Sequence, residues 1–504
     1  MGKLKQLAGD TAIYGLSSIL GKAINFLLVP FYTSTAVLSV AEYGIVSELY
    51  AYVAVLNVVY AWGMETAFFR FISRDPDKVG SVLNTSVSAV FIGSVTLSTL
   101  MALFATPIVE WLEFPGRERF VYWFALIIAI DAIVAIPFAL LRYERKSMRF
   151  AVIRLLNIAL NISFNIFFLY FCKQVFQGTM LPSARPFVEL VYNPLFNVEY
   201  VFLSNLIANS LYFILLWPQF RRVRFGIQGE LLQRMFHYAW PLLFSQLAGV
   251  TNEMFSRMIL KKMLPVDFYQ GLSSQEALSI FAACYKLSVF MTLAIQAFRF
   301  AAEPFFFSES GSSDAKDTYR RVMNYYVLFG LFAFVAISLN LDWIKIIFLS
   351  DPAYWQGLHI VPVLLLANFF LGVYFNVSIW YKITDRTYFG TIITVITASL
   401  TVALNIVLIP HFGYEGSAAI TLAVYGIEAA VGYFLGQRYY PVPYDIKRPV
   451  LYLLVAVLLV WAGWHIRLPD PFLRQFFREL PVLLFVALIL LAERKRLRRQ
   501  KYYD

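Results

Sequence analysis

YGLSSILGKAINFLLVPFY, Tyr14–Tyr32, is an apolar run of helix length with one charge, Lys22, near its middle. Crossing a hydrocarbon core of about 30 Å takes roughly 20 residues at 1.5 Å each, so the run is long enough to span a membrane. A lone ammonium at the bilayer centre costs roughly 2.5 to 3.5 kcal/mol on insertion scales, and a chain that keeps one is expected to offer it a partner or a water-filled cavity. Lys22 therefore reads as a functional charge inside a membrane helix.

The rest of the chain repeats the pattern. Its 504 residues are 60% hydrophobic, 18% aromatic and only 14% charged, against an apolar share of about 45 to 50% in soluble domains. Runs bounded by charge, Pro and Gly predict fourteen transmembrane helices, the first near residues 10–35 and the last near 477–492. The opening MGKLKQLAGD is short and basic, but the apolar run behind it is too long for a signal-peptide core and has no small-residue cleavage site, so the first helix is expected to stay. Cys172 and Cys284 lie in separate apolar runs, and the four histidines are widely spaced. Neither set predicts a disulfide framework or a metal site.

The positive-inside rule tests the count, because a missed span would invert every later loop. With the amino terminus inside, 27 of the 42 Lys and Arg residues fall on inner segments, 10 on outer segments and 5 within spans. Both termini are expected in the cytoplasm. The net charge of +11 then reads as anchoring to anionic lipid on the inner face, with no call for nucleic acid. The basic tail ERKRLRRQKYYD, Glu493–Asp504, belongs to the same anchoring.

An internal repeat is also legible. YERKSMRFAVIRLLNIALNISFNIFFLYF, Tyr143–Phe171, and YKITDRTYFGTIITVITASLTVALNIVLIPHF, Tyr381–Phe412, each follow a short basic loop with an apolar run ending in Asn-Ile, matching Asn165 to Asn405. The fifth and eleventh spans are thus expected to be equivalents. The fold class that follows is an all-α polytopic membrane protein: two pseudo-symmetric six-helix lobes, residues 1–222 and 223–440, two appended helices in 441–492, and a tail in 493–504.

LNIVLIPHFGYEGSAAITLAVYG, Leu404–Gly426, resembles the junction of helices 11 and 12 in the polysaccharide transporter family, the Wzx-like oligosaccharide flippases of the multidrug/oligosaccharidyl-lipid/polysaccharide superfamily. AEYGIVSELYAYVAVL, Ala41–Leu56, resembles the start of their second helix. The resemblance implies two lobes around a cavity that opens alternately to either side of the bacterial inner membrane. It implies as substrate an undecaprenyl-pyrophosphate-linked glycan, moved from the cytoplasmic to the periplasmic leaflet for surface polysaccharide assembly, with polysaccharide assembly proteins as candidate partners. In the related lipid II flippases, basic residues of the first and eighth helices line the cavity. Lys22 falls in the first helix here, Lys286 and Arg299 in the eighth.

The intramembrane charges are weighed on depth alone. Lys22, Asp131, Lys286 and Glu428 lie about ten to fourteen residues from a helix end, near the midplane, and Glu253 and Arg257 fall one turn apart on the seventh span. The functional reading is a cationic cavity of Lys22, Arg257, Lys286 and Arg299, since arginine grips phosphate oxygens bidentately and lysine acts as a point charge. Asp131, Glu428 and Glu253 are candidate ion-coupling groups for H+ or Na+. Against this, Glu253 and Arg257 at i and i+4 also suit a structural ion pair, and Glu65 and Arg154 are near enough to an interface to snorkel. Prolines at 30, 137, 241, 304 and 362 permit kinks.

Two alternatives stand beside the flippase: a lipid II flippase or cation-coupled multidrug exporter of the same superfamily, and a membrane-embedded glycan polymerase or ligase. An exporter of amphipathic cations calls for an acidic, aromatic lining. A polymerase calls for catalytic groups on large outer loops, yet the longest, Lys173–Asn197, carries one carboxylate, Glu189. With no nucleophile-base pair or phosphate-binding glycine loop in the sequence, a transporter is expected and not an enzyme.

Overall fold

The computed structural model describes residues 15–309, 314–466 and 468–503. Residues 1–14, Arg467 and the side chains of Glu303, Pro304 and the basic tail lie outside the described set. Secondary structure among the described residues is helical throughout. The principal helices, in chain order, are α1 (Gly15–Tyr32), α2 (Val40–Arg74), α3 (Val79–Leu103), α4 (Glu118–Tyr143), α5 (Ser147–Phe176) and α6 (Glu199–Leu215). Then come α7 (Gly229–Met263), α8 (Ser274–Arg299, continuing to Glu309), α9 (Ala315–Leu339) and α10 (Pro352–Ile383). A helix of 52 residues, Tyr388–Tyr439, is split by Gly413 into α11 (388–412) and α12 (414–439). α13 (Lys447–Trp464) and α14 (Pro471–Tyr503) close the chain. Ten of these helices, with Tyr388–Tyr439 taken as one, are long and apolar enough to cross a membrane, and the chain is a multi-pass membrane protein. α6 is shorter than the others, and α7 spreads Gln, Arg, Asn and Glu along its length.

Gly413 has φ 53° and ψ −139°, a conformation closed to residues with a Cβ, and it turns the chain between α11 and α12 inside the stretch Leu404–Gly426. Among the prolines, Pro137 and Pro241 sit inside α4 and α7. Pro362 lies in the first turn of the regular helix Val361–Val377, where proline's missing N–H costs no bond.

Contacts divide the chain into two compact units. The first reaches Lys262 and takes in Tyr269–Ser279; the second holds Met263–Phe268 and the chain from Ile280 onward. Local devices recur along the chain, two capping boxes within the first unit and one matched asparagine in each unit. α2 begins with a capping box in which the Glu42 N–H donates to Ser39 Oγ (3.3 Å) and the Ser39 N–H to Glu42 Oε2 (2.8 Å). α8 begins with the same box, from Glu276 N–H to Ser273 Oγ (3.2 Å) and from Ser273 N–H to Glu276 Oε2 (2.8 Å). Such a box satisfies two orphan donors of the first turn. The matched asparagines also agree in detail. Both are fully buried, and both donate Nδ2 to the carbonyl four residues back, Asn161 O and Thr401 O, at 2.8 Å. Each Oδ1 then accepts a hydroxyl from another helix, Tyr32 Oη (2.8 Å) for Asn165 and Ser417 Oγ (3.3 Å) for Asn405.

In the second unit, α13 and α14 pack against α9, and their tether lies at the short helix Leu341–Phe348 that follows α9. Asp342 receives Lys345 Nζ at 2.7 Å, Arg478 Nη1 at 2.6 Å and Arg474 Nε at 3.7 Å. Gln475 Nε2 donates to Asn340 Oδ1 (2.8 Å), Arg478 Nε to Gly463 O (3.2 Å) and Trp464 Nε1 to Ser338 O (3.1 Å). Burial pushes the Asp342 carboxyl up, but Lys345, Arg478 and Arg474 outweigh it and hold it below the usual carboxylate range. A depressed carboxyl gives stability that is present above its unfolded value of about 3.9 and is lost as pH falls through the folded value. Proteolysis of the α13–α14 region is therefore expected to stay constant from pH 8 to 5 and to rise only below about pH 4. Asp342→Asn should give the raised cleavage at neutral pH.

Candidate functional site

Between the helices of the first unit lies a cavity of about 290 Å³ lined by Asn57, Glu65, Asp131, Phe138, Arg154 and Tyr212. α2, α4, α5 and α6 each contribute, so a carboxylate in mid-helix meets polar groups from three neighbours. Asn209 Nδ2 of α6 donates to Asp131 Oδ1 at 2.8 Å, and Asn157 Nδ2 of α5 donates to Asn209 Oδ1 at 3.2 Å. One turn before Asn209, Asn205 Nδ2 donates to Tyr50 Oη of α2 at 2.9 Å. In hydrocarbon such groups must satisfy one another or face water, and here they bond to one another, with Asp131 also lining the cavity. Asp131 retains carboxylate capacity toward the cavity, a setting in which a proton or small cation can be taken up.

The neighbours expected to snorkel are held in place. Glu65 pairs with Arg142, while the Arg154 guanidinium lies 4.9 Å over the Phe138 ring and is exposed to the cavity. Such a stacked guanidinium keeps its charge available to an anion.

The other expected site residues divide between the units. In the first, Gly21 is buried, its missing Cβ leaving room for Ile158 of α5, and the adjacent Lys22 is exposed. Glu253 of α7 is exposed, whereas Arg257 is buried with Nη1 3.4 Å from Met254 Sδ. In the second, Lys286 and Arg299 of α8 are exposed, Arg299 stacking 4.8 Å over Phe375 of α10. Glu428 of α12 is buried and accepts Thr397 Oγ1 of α11 at 2.7 Å. Buried Thr401, Asn405, Ser417 and Thr421 continue that polar seam between α11 and α12. Asp131 and Glu428 are thus each held by a neighbouring helix of their own unit.

Sequence reasoning missed Asn157 and Asn209. Their signal was available as asparagine stripes at helical spacing, Asn157–Asn161–Asn165 and Asn205–Asn209. It also missed Glu48, a fully buried carboxylate of α2 whose nearest cation, Lys261 Nζ, is 4.0 Å away and itself binds Glu113 at 3.0 Å.

No family model matches the chain, and the search of curated proteins finds no match. Solved structures do match. A lipid II flippase, MurJ, in an inward closed conformation superposes with a TM-score of 0.69 at 13% identity, over 94% of this chain and 98% of that one. An inward-facing multidrug resistance MATE family transporter of the MOP superfamily gives 0.60 at 14% identity, over 85% and 94%. A MOP superfamily transporter from Pyrococcus furiosus, noted for the reverse polarity of its binding pocket, gives 0.59 at 14% identity, over 86% and 95%. At such identities the likeness establishes the fold, and the chain has the fold of these transporters along nearly its whole length.

Proposed function

We propose that this protein is an alternating-access flippase that moves an undecaprenyl-pyrophosphate-linked oligosaccharide from the cytoplasmic to the periplasmic leaflet of a bacterial inner membrane, for surface polysaccharide assembly. The observation that carries the reading is the set of exposed cations on otherwise apolar membrane helices: Lys22 on α1, Lys286 and Arg299 on α8. A pyrophosphate needs such partners to cross hydrocarbon, and ionisable side chains within membrane spans are costly and mark substrate or ion pathways. Arg257, being buried, is assigned the lesser part in contacting phosphate. Sharing a fold with a lipid II flippase supports a lipid-linked anion as cargo. A cation-coupled exporter shares the fold equally, but its cationic cargo would be repelled by these residues.

Coupling is assigned to Asp131 and Glu428, each on a seam between helices of one unit, with H+ or Na+ as the ion and no further cofactor. Glu253, exposed on α7, is a third candidate. Both termini are placed in the cytoplasm, where the basic tail meets anionic lipid; polysaccharide assembly proteins are the proposed partners.

The test is translocation in liposomes of a fluorescent undecaprenyl-pyrophosphate oligosaccharide. Lys22→Gln is expected to slow flipping at least tenfold, about 1.4 kcal/mol of barrier, with an unchanged melting temperature. An unaltered rate would remove Lys22 from the substrate path.

A further inference from the structure

The loop joining α5 to α6 carries a short helix, Arg185–Val191, with two opposed faces. Arg185 and Glu189 share one side, Nε donating to Oε1 at 2.7 Å. Phe187, Leu190 and Val191, at i, i+3 and i+4, share the other. Val188 is buried between the two faces. Phe187 is 75% exposed and Leu190 81% exposed, and Leu195, just beyond, is 87% exposed. So large an apolar cluster in water marks an interaction surface.

The cluster is held outward by a rigid support. A column of rings runs beneath it: Phe168 stacks on Tyr200 (4.9 Å, 10°), Tyr200 on Tyr192 (5.2 Å, 9°), and Tyr192 meets Phe176 (5.7 Å). Tyr200 Oη accepts the Asn193 N–H at 2.5 Å, and the Arg185 guanidinium lies 5.4 Å over Phe176. Since Phe176 is the last residue of α5, these contacts fix the short helix beside the end of that span. On α5 itself, Ile166, Phe167 and Tyr170 are also exposed. An exposed apolar face backed by a charged face, placed beside the end of an apolar span, has the pattern of a helix lying in the plane of a membrane surface.

We infer that Arg185–Val191 is an in-plane membrane anchor, its Phe187, Leu190 and Val191 face inserted at the headgroup boundary of the leaflet on its side. The inference does not depend on the identity of the transported molecule. Single cysteines at Leu190 and Glu189 in the full chain, labelled with bimane, test it in nanodiscs of ordinary and brominated phosphatidylcholine. Cys172 and Cys284 are free but buried, so labelling of the unsubstituted chain gives the background. The Leu190→Cys label is expected to be quenched by brominated lipid at least threefold more than the Glu189→Cys label, and to emit further to the blue. Phe187→Asp in the same chain should restore the Leu190→Cys emission toward that in ordinary lipid. Equal quenching at both positions, or none at either, would overturn the inference. So would shielding of Leu190→Cys from aqueous iodide that is present in native membranes and lost in nanodiscs, the mark of a protein partner.

Discussion

Gly372→Ala is expected to cut the yield of folded protein several-fold. Gly372 lies in α10 where it crosses α9, and a Cβ built on it would overlap Tyr326 Oη and Cζ and stand 2.9 Å from Cε2. The ring has nowhere to go. Tyr326 is buried, its Oη donates to Phe369 O at 2.9 Å, and its face stacks on Phe369 at 5.8 Å. Phe369 is pinned in turn, with Cδ2 only 2.8 Å from where a Cβ on Gly330 of α9 would sit. Relief requires α9 and α10 to separate, and overpacking a filled interior costs typically 1 to 3 kcal/mol or more, out of a net stability of about 5 to 15. In detergent the variant should melt at least about 5 °C lower and give a several-fold smaller monodisperse peak. Tyr326→Leu added to Gly372→Ala should recover part of the loss. A melting temperature equal to that of the unsubstituted chain would show that the two helices do not meet at this crossing.

Asp131→Asn is expected to uncouple transport, with an effect of at least tenfold on gradient-driven flipping, about 1.4 kcal/mol. The amide has nearly the size of the carboxyl, so the hydrogen bond from Asn209 can be retained by one oxygen and the unit stays folded. What is lost is the charge in the 290 Å³ cavity, and with it the capacity to take up a proton or Na+. The check is the initial rate with and without an imposed H+ or Na+ gradient: the gradient should accelerate the unsubstituted chain and leave Asp131→Asn near its undriven rate. Asn209→Ala should fall between them. Full gradient response in Asp131→Asn would move coupling to Glu428 or Glu253.

Much of the fold was legible because membrane helices are written in composition. Runs of apolar residues fixed by bilayer thickness separate cleanly from basic loops, and the repeat showed in Asn165 and Asn405, whose shared hydrogen bonding the structure displays. The capping boxes at Ser39–Glu42 and Ser273–Glu276 were equally readable, as a Ser with a Glu three residues on at the starts of α2 and α8. The spans expected at α6, α7 and α14 are not among the helices long and apolar enough to cross a membrane: α6 is short, and polar side chains dilute the apolar character of α7. The site was legible only as a list of charges. Depth says that Asp131 and Glu428 are in the membrane, but which helix answers each depends on rotation about the helix axis, which apolar periodicity leaves weakly defined when lipid and protein interior are both greasy. Asn209 and Thr397 could therefore be named only from coordinates. Glu65 illustrates the same limit: its depth suggested snorkelling, while its partner is Arg142 of another helix.

The central claim is that the cargo is an anionic lipid-linked sugar. It is tested most directly by offering the unsubstituted protein, in one batch of liposomes, a fluorescent undecaprenyl-pyrophosphate oligosaccharide and a lipophilic organic cation. The account predicts rapid transfer of the pyrophosphate-linked sugar between leaflets and background movement of the cation. Gradient-driven export of the cation, with the lipid-linked sugar left in its original leaflet, would contradict it.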